Sequence, residues 1–96
     1  MRESERDVEK YFKKRVEMSG GWALKFVSPG ISGVPDRIVL YPEGKIYFVE
    51  LKRPGAKMRI LQKKIAAAIA KFGFKVFLID RKEGVDNFVW EVTGHE

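Results

Sequence analysis

Apolar residues recur at spacings of three and four through Val8, Tyr11, Phe12 and Val16, the pattern of a helix with one buried face. Ser4, with Asp7 three residues on, supplies a capping start, and Ser19-Gly20-Gly21 supplies an end, so the pattern predicts an amphipathic helix over 4–19. From Trp22 the period changes to two, and Trp22, Leu24 and Phe26 share one face of a short strand over 22–27. Residues 28–35, Ser-Pro-Gly-Ile-Ser-Gly-Val-Pro, interrupt both periods and predict a loop. Strands over 36–41 and 45–52 flank Pro42-Glu43-Gly44 and read as a hairpin. The second of them carries Ile46, Tyr47, Phe48, Val49 and Leu51, apolar on both faces, as expected of a central strand covered on each side.

Helical spacing returns over 56–72, where Leu61, Ile65, Ala68/Ile69 and Phe72 are expected to form the core side and Ala66-Ala67-Ala68 adds helix propensity. Gly73 closes this helix, and strands over 74–79 and, at a sheet edge, 87–92 complete the chain. The order α-β-β-β-α-β-β predicts an α/β fold, a mixed sheet flanked by helices. Its strand–helix–strand unit makes 45–52 and 74–79 parallel neighbours through a right-handed crossover.

Ninety-six residues make one domain with a small core, which excludes two domains and favours stabilisation by pairing of chains. Nineteen Lys and Arg against thirteen Asp and Glu leave a net charge of +6, which directs attention to polyanions such as nucleic acid. The absence of cysteine excludes a disulfide framework, a zinc–thiolate site and a cysteine nucleophile. The single histidine, His95, lies next to the C-terminus, where a catalytic role is not expected. The charged start, Met1-Arg2-Glu3-Ser4-Glu5-Arg6, and the lack of any apolar window of roughly 18–20 residues point to a cytoplasmic protein with no membrane partner.

Charged residues inside an apolar strand need an explanation, because an unpaired buried charge is expensive. Glu50 and Lys52 interrupt the most apolar strand and project to one face while Leu51 points to the other. Asp36 opens the adjoining hairpin strand directly after Gly33-Val34-Pro35, and Pro35 forces Val34 to be extended, so the turn presents the Asp36 carboxylate beside Glu50. Two carboxylates and the Leu51 carbonyl form an all-oxygen site suited to Mg²⁺ or Mn²⁺. Lys52 on the same face either stabilises charge developing on a phosphate or helps orient and deprotonate an attacking water. Taken singly, each feature has an ordinary reading: a Glu-x-Lys on a strand is commonly a solvated ion pair, and a Pro-Asp a turn. Their conjunction on the two strands of one hairpin is what points to a site.

Gly33-Val34-Pro35-Asp36, then Glu50-Leu51-Lys52, then Gln62 on the next helix, with Glu5 in the opening helix, resembles the PD-(D/E)XK nuclease superfamily, and more narrowly the VRR-NUC family in its stand-alone phage and bacterial form. The likeness runs from about Glu5 to Ile79 and implies a restriction-endonuclease-like core. It implies that Asp36, Glu50 and the Leu51 carbonyl are metal ligands, Lys52 the catalytic lysine, Gln62 a supporting residue, and Glu5 the carboxylate that reaches the metal-bound water. From the residues alone, Glu9 lies one turn from Glu5 on the same helix face and either could point inward. Gln62, following Leu61 and about 100° round the helix from the core centre, could equally be solvated.

Lys52, Arg53, Lys57, Arg59, Lys63 and Lys64 fall within thirteen residues and form the expected phosphate-contact surface, joined by the backbone of Ser32 and Gly33. Lys63, Lys64 and Lys71 also read as a solubilising helix face, and Lys13, Lys14 and Arg15 read either way. With no base-reading motif, recognition of shape or junction structure is expected. The resemblance further implies a homodimer acting on branched DNA such as four-way (Holliday) junctions, in replication, repair or recombination, inside a bacterial or phage-infected cell. No nucleotide cofactor is expected. Candidate interfaces are Phe88, Val89 and Trp90 or the exposed side of the first helix, although Phe88 and Trp90 could equally cover the monomer's own core. Competing readings are a basic nucleic-acid-binding module without chemistry, and a duplex-cutting restriction-type nuclease. The second is disfavoured because no separate target-recognition element is present.

Overall fold

The computed structural model describes residues 3–94, so His95 lies outside the described residues. The chain forms α1 (Glu5–Met18), β1 (Trp22–Lys25), β2 (Arg37–Tyr41), β3 (Lys45–Leu51), α2 (Ile60–Ala70), β4 (Val76–Ile79) and α3 (Lys82–Thr93). The start of α1 is fixed as the sequence predicts. The Asp7 amide donates to the Ser4 hydroxyl (3.1 Å) and the Ser4 amide donates back to the Asp7 carboxylate (3.1 Å).

The four strands form one mixed sheet in the order β1-β2-β3-β4, with the first two pairings antiparallel and β3-β4 parallel through α2. The register pairs Trp22 with Leu40, Leu24 with Ile38, Ile38 with Phe48, Leu40 with Ile46, and Glu50 with Leu78, so these residues share one face of the sheet. Val39, Tyr41, Val49, Leu51 and Ile79 fall on the other face, where they join Val8, Phe12 and Val16 of α1 and Val85, Phe88 and Val89 of α3 in the core. Phe88 is central to that core, with its ring 4.9 Å from Phe77, 5.9 Å from Phe12 and 6.0 Å from Tyr47.

The fifth strand expected over 87–92 is instead the body of α3. Val85, Phe88, Val89 and Val92 lie at i, i+3, i+4 and i+7, a helical stripe that buries the first three completely or nearly so. Phe88-Val89-Trp90 has strand-like composition, but packing on α1 sets the period, and Gly94, at φ 84°, ends the helix in the left-handed region. Phe88 and Val89 are therefore core residues and not an exposed edge for a partner chain, whereas Trp90 faces solvent.

α2 crosses the opposite sheet face and is shorter than 56–72. Its expected core side is also rotated: Leu61 and Phe72 are exposed, while Gln62 is buried at 8% exposure. Because α2 covers that face only in part, β3 is buried on one side and half-open on the other, with Ile46 exposed. The loop before β2 wedges α2 in place through Gly33. A side-chain carbon there would lie 2.9 Å from Leu61 Cγ and 3.1 Å from the Leu61 carbonyl, and its φ of 88° is one that other residues rarely adopt.

Candidate active site

Asp36, Glu50 and Lys52 converge at one end of the sheet because Asp36 lies one residue beyond the Arg37–Val49 pair and Glu50 one residue beyond Val49. The two carboxylates are locked reciprocally across the strands. The Asp36 amide donates to Glu50 Oε1 (3.2 Å), and the Leu51 amide donates to Asp36 Oδ1 (3.2 Å). Glu50 is 4% exposed, and a carboxylate that deep is tolerable only if its oxygens are satisfied. Its Oε2 accepts from Gln62 Nε2 (2.9 Å) and lies 3.5 Å from Lys52 Nζ.

Gln62 in turn is held from its other end, its Oε1 accepting from the Arg59 amide at 2.8 Å. One side chain thus caps the start of α2 and fixes the Glu50 carboxylate, which requires a group with both a donor and an acceptor. Periodicity alone leaves Gln62 between site and solvent, and the family resemblance makes it a supporting residue; the structure places it against Glu50.

These residues line a cavity of about 500 Å³ together with Glu5, Ser32, Gly33, Val34, Leu51, Arg59 and Leu61. Glu5 is therefore the opening-helix carboxylate at the cavity. Glu9, one turn on, is instead engaged by Arg37 Nη2. Of the expected phosphate contacts, Ser32, Gly33 and Arg59 are in the wall, Arg53 lines an adjoining cleft beside Glu5, and Lys57 and Lys63 are exposed outside the cavity.

Sequence reasoning missed Arg37, which is 8% exposed. Its Nη1 donates to the Asp36 carbonyl (3.1 Å) while Nη2 holds Glu9, so it braces the turn carrying Asp36 from the opposite sheet face. Strand alternation after Asp36 was the available signal, since it sends the next side chain toward α1. Burial lowers the Arg37 pKa from its usual range, opposed by the Glu5 and Glu50 carboxylates.

Asp36 carries the electrostatic strain of the site. Burial first, then the Glu50 carboxylate, and more weakly Glu5, push its pKa up to about 6, against the Leu51 amide and Lys52. A cation would relieve that repulsion. Among the described residues no three acidic or imidazole groups gather closely enough to cage a metal unaided. The donor chemistry present, two carboxylates with Leu51 in the same wall, fits a hard divalent ion that retains waters and takes oxygens from a phosphate substrate.

No family model matches the chain. Over 79 residues it is 44% identical to a protein named "Putative nuclease p44" from Acyrthosiphon pisum secondary endosymbiont phage 1, covering 82% of this chain and 85% of that one. It is also similar to a solved structure described as a VRR_NUC domain, with a TM-score of 0.82 and 34% identity over 91% of this chain and 96% of that one.

Proposed function

The chain belongs to the VRR-NUC family of nucleases, and from that premise we propose that it is a divalent-metal-dependent DNA endonuclease selective for branched substrates such as four-way junctions. The observation that carries this reading is the Asp36–Glu50–Lys52 cluster, fixed by Gln62 in one cavity, whose carboxylate pair seeks a cation. Asp36, Glu50 and the Leu51 carbonyl would hold the metal, and Glu5 would reach it through a bound water. The chemistry that Mg²⁺ or Mn²⁺ would supply there is polarisation of a phosphate and a lowered pKa for a bound water.

The protein's own groups supply the rest. The Lys52 ammonium, anchored on Glu50, is aimed by that contact into the cavity, where it opposes negative charge developing on the phosphoryl oxygens. Glu5, on the open side of the cavity, accepts a hydrogen bond from the attacking water and orients it. Water oxygen bonds to phosphorus as its proton passes to the Glu5 carboxylate, and the phosphorus–oxygen bond to one sugar breaks, the departing oxygen taking a proton from solvent. Ser32, Gly33, Arg59 and Arg53 border the path of the strand and are assigned to its phosphates, with Lys57 and Lys63 as outer contacts.

The reading includes a homodimer. On the sheet face opposite α1 and α3, apolar apart from the end that carries Glu50, Trp22, Ile46 and Leu78 are 59%, 41% and 45% exposed, and these side chains are expected to be covered by a partner. A second copy related by a two-fold axis covers it with the same residues and places two sites on two strands of a two-fold substrate. Work in replication, repair or recombination follows from such a substrate. No helix among the described residues is long and apolar enough to cross a membrane.

The test is cleavage of labelled four-way junction, flap, nicked and plain duplex DNA in Mg²⁺, in Mn²⁺ and in EDTA. Metal-dependent, symmetric cutting of the junction is expected. Binding without cutting in either metal would favour the non-catalytic module, and preference for plain duplex would favour the restriction-type reading.

A further inference from the structure

A second concavity lies along the sheet edge, and the chemistry above makes no use of it. Between α1 and β1 runs a groove of about 310 Å³ walled by Lys10 and Lys13 from the helix and Lys25 from the strand. Ala23, too small to fill the space, and the Glu9–Arg37 pair complete it. The groove opens on the sheet face opposite the catalytic cavity and shares no wall residue with it, but its near end approaches the cavity along α1, where Glu9 lies one helical turn from Glu5. Along α1, Lys13 stands about 12 Å from Glu5, two turns from the cavity.

The charge in this groove is one-sided. Its only carboxylate, Glu9, is taken by Arg37, and none of the three lysines makes an ion pair among the described residues. Lys14 extends the positive field along α1, where Glu17 is the one carboxylate in the adjoining wall. A solubilising helix face mixes signs on a convex surface, whereas here cations from two separate elements converge on a concave strip leading away from the site. A flexible ammonium suits a backbone phosphate and carries little sequence information.

We propose that the α1–β1 groove is a backbone-binding track for the nucleic acid cut at the neighbouring site, with Lys10, Lys13 and Lys25 holding phosphates that flank the scissile one. The inference rests on the nuclease reading above, which supplies the polyanion. It adds a second contact surface on the opposite side of the cavity from α2. The track extends the footprint along an arm of the substrate.

The experiment compares Lys13→Gln/Lys25→Gln with the charge-matched control Lys45→Gln/Lys71→Gln, using a four-way junction and a plain duplex in EDTA over a range of salt. Retention of the fold is checked by circular dichroism. The groove variant is expected to bind about tenfold more weakly than the control, and its log affinity against log salt slope is expected to be shallower by about 2, one phosphate per lysine lost. Matching slopes and affinities for the two variants would overturn the track, whether or not wild-type protein cuts DNA. Cleavage by wild-type protein in Mg²⁺ and Mn²⁺ is measured in parallel and judges the nuclease reading by itself. Wild-type protein that bound neither DNA in EDTA would overturn the track and leave the nuclease reading to the cleavage measurement.

Discussion

Asp36 is held in a place that suits a charged ligand better than it suits the carboxyl itself. Its pKa in the folded protein is about 6 against an ordinary 3.8, so between those values the folded chain keeps a proton that the unfolded chain releases. The stability Asp36 contributes is therefore complete below the lower value and is lost as pH rises through the upper one. In EDTA the thermal midpoint should carry a component that falls over that window, and Asp36→Asn should abolish it, raising the midpoint at about pH 7 by about 5 °C while eliminating cleavage. An unchanged pH profile in that variant would mean that Asp36 is not strained. Gln62 offers a second check. Gln62→Ala leaves Glu50 Oε2 with Lys52 alone, and about 1–2 kcal/mol of stability should be lost with about tenfold in turnover. Full stability and turnover would remove its supporting role. Asp36, Glu50 and Lys52 were legible because strand alternation is local and leaves few choices. Gln62 was legible only through the family resemblance, since the rotation of α2 depends on what it packs against.

Elements differ in how far their own pattern settles them. The start of α1 is written in Ser4 and Asp7, and the hairpin of β2 and β3 in the break at Pro42-Glu43-Gly44. α2 carries apolar residues around most of its circumference, so periodicity could not choose its buried side. The choice is made by Gly33, against which Leu61 and Ile65 close. α3 replaces the expected strand because the β-branched and aromatic run Phe88-Val89-Trp90 favours a strand only locally, while the stripe Val85, Phe88, Val89 and Val92 favours a helix over a longer window. The two alternatives make opposite demands on Phe88 and Trp90: a strand puts both on one face, and a helix separates them. Phe88→Ala should cost about 3–4 kcal/mol in chemical denaturation and Trp90→Ala less than about 1 kcal/mol. Equal costs would contradict α3.

On the scale of the molecule, one sheet separates two tasks. The face under α1 and α3 holds the core, and the other carries the site at one end beneath α2, with exposed apolar side chains from Leu78 beside Glu50 to Trp22 and Ile46 at the far end. Composition already pointed to a nucleic-acid partner and to pairing of a small domain, but not to which surface serves each, because that depends on how helices of different length share a sheet. Ile46→Glu/Leu78→Glu should convert the protein from dimer to monomer by light scattering while leaving the thermal midpoint within about 5 °C. A dimer that survived both charges would place the interface elsewhere. The central claim is that Lys52, fixed by Glu50, does chemistry at a metal-dependent site. The most direct test is single-turnover cleavage of a four-way junction in Mn²⁺ by wild-type protein and by Lys52→Ala, with DNA affinity measured in EDTA. The account predicts a rate lower by about 10²–10⁴ at nearly unchanged affinity. Equal rates would contradict it.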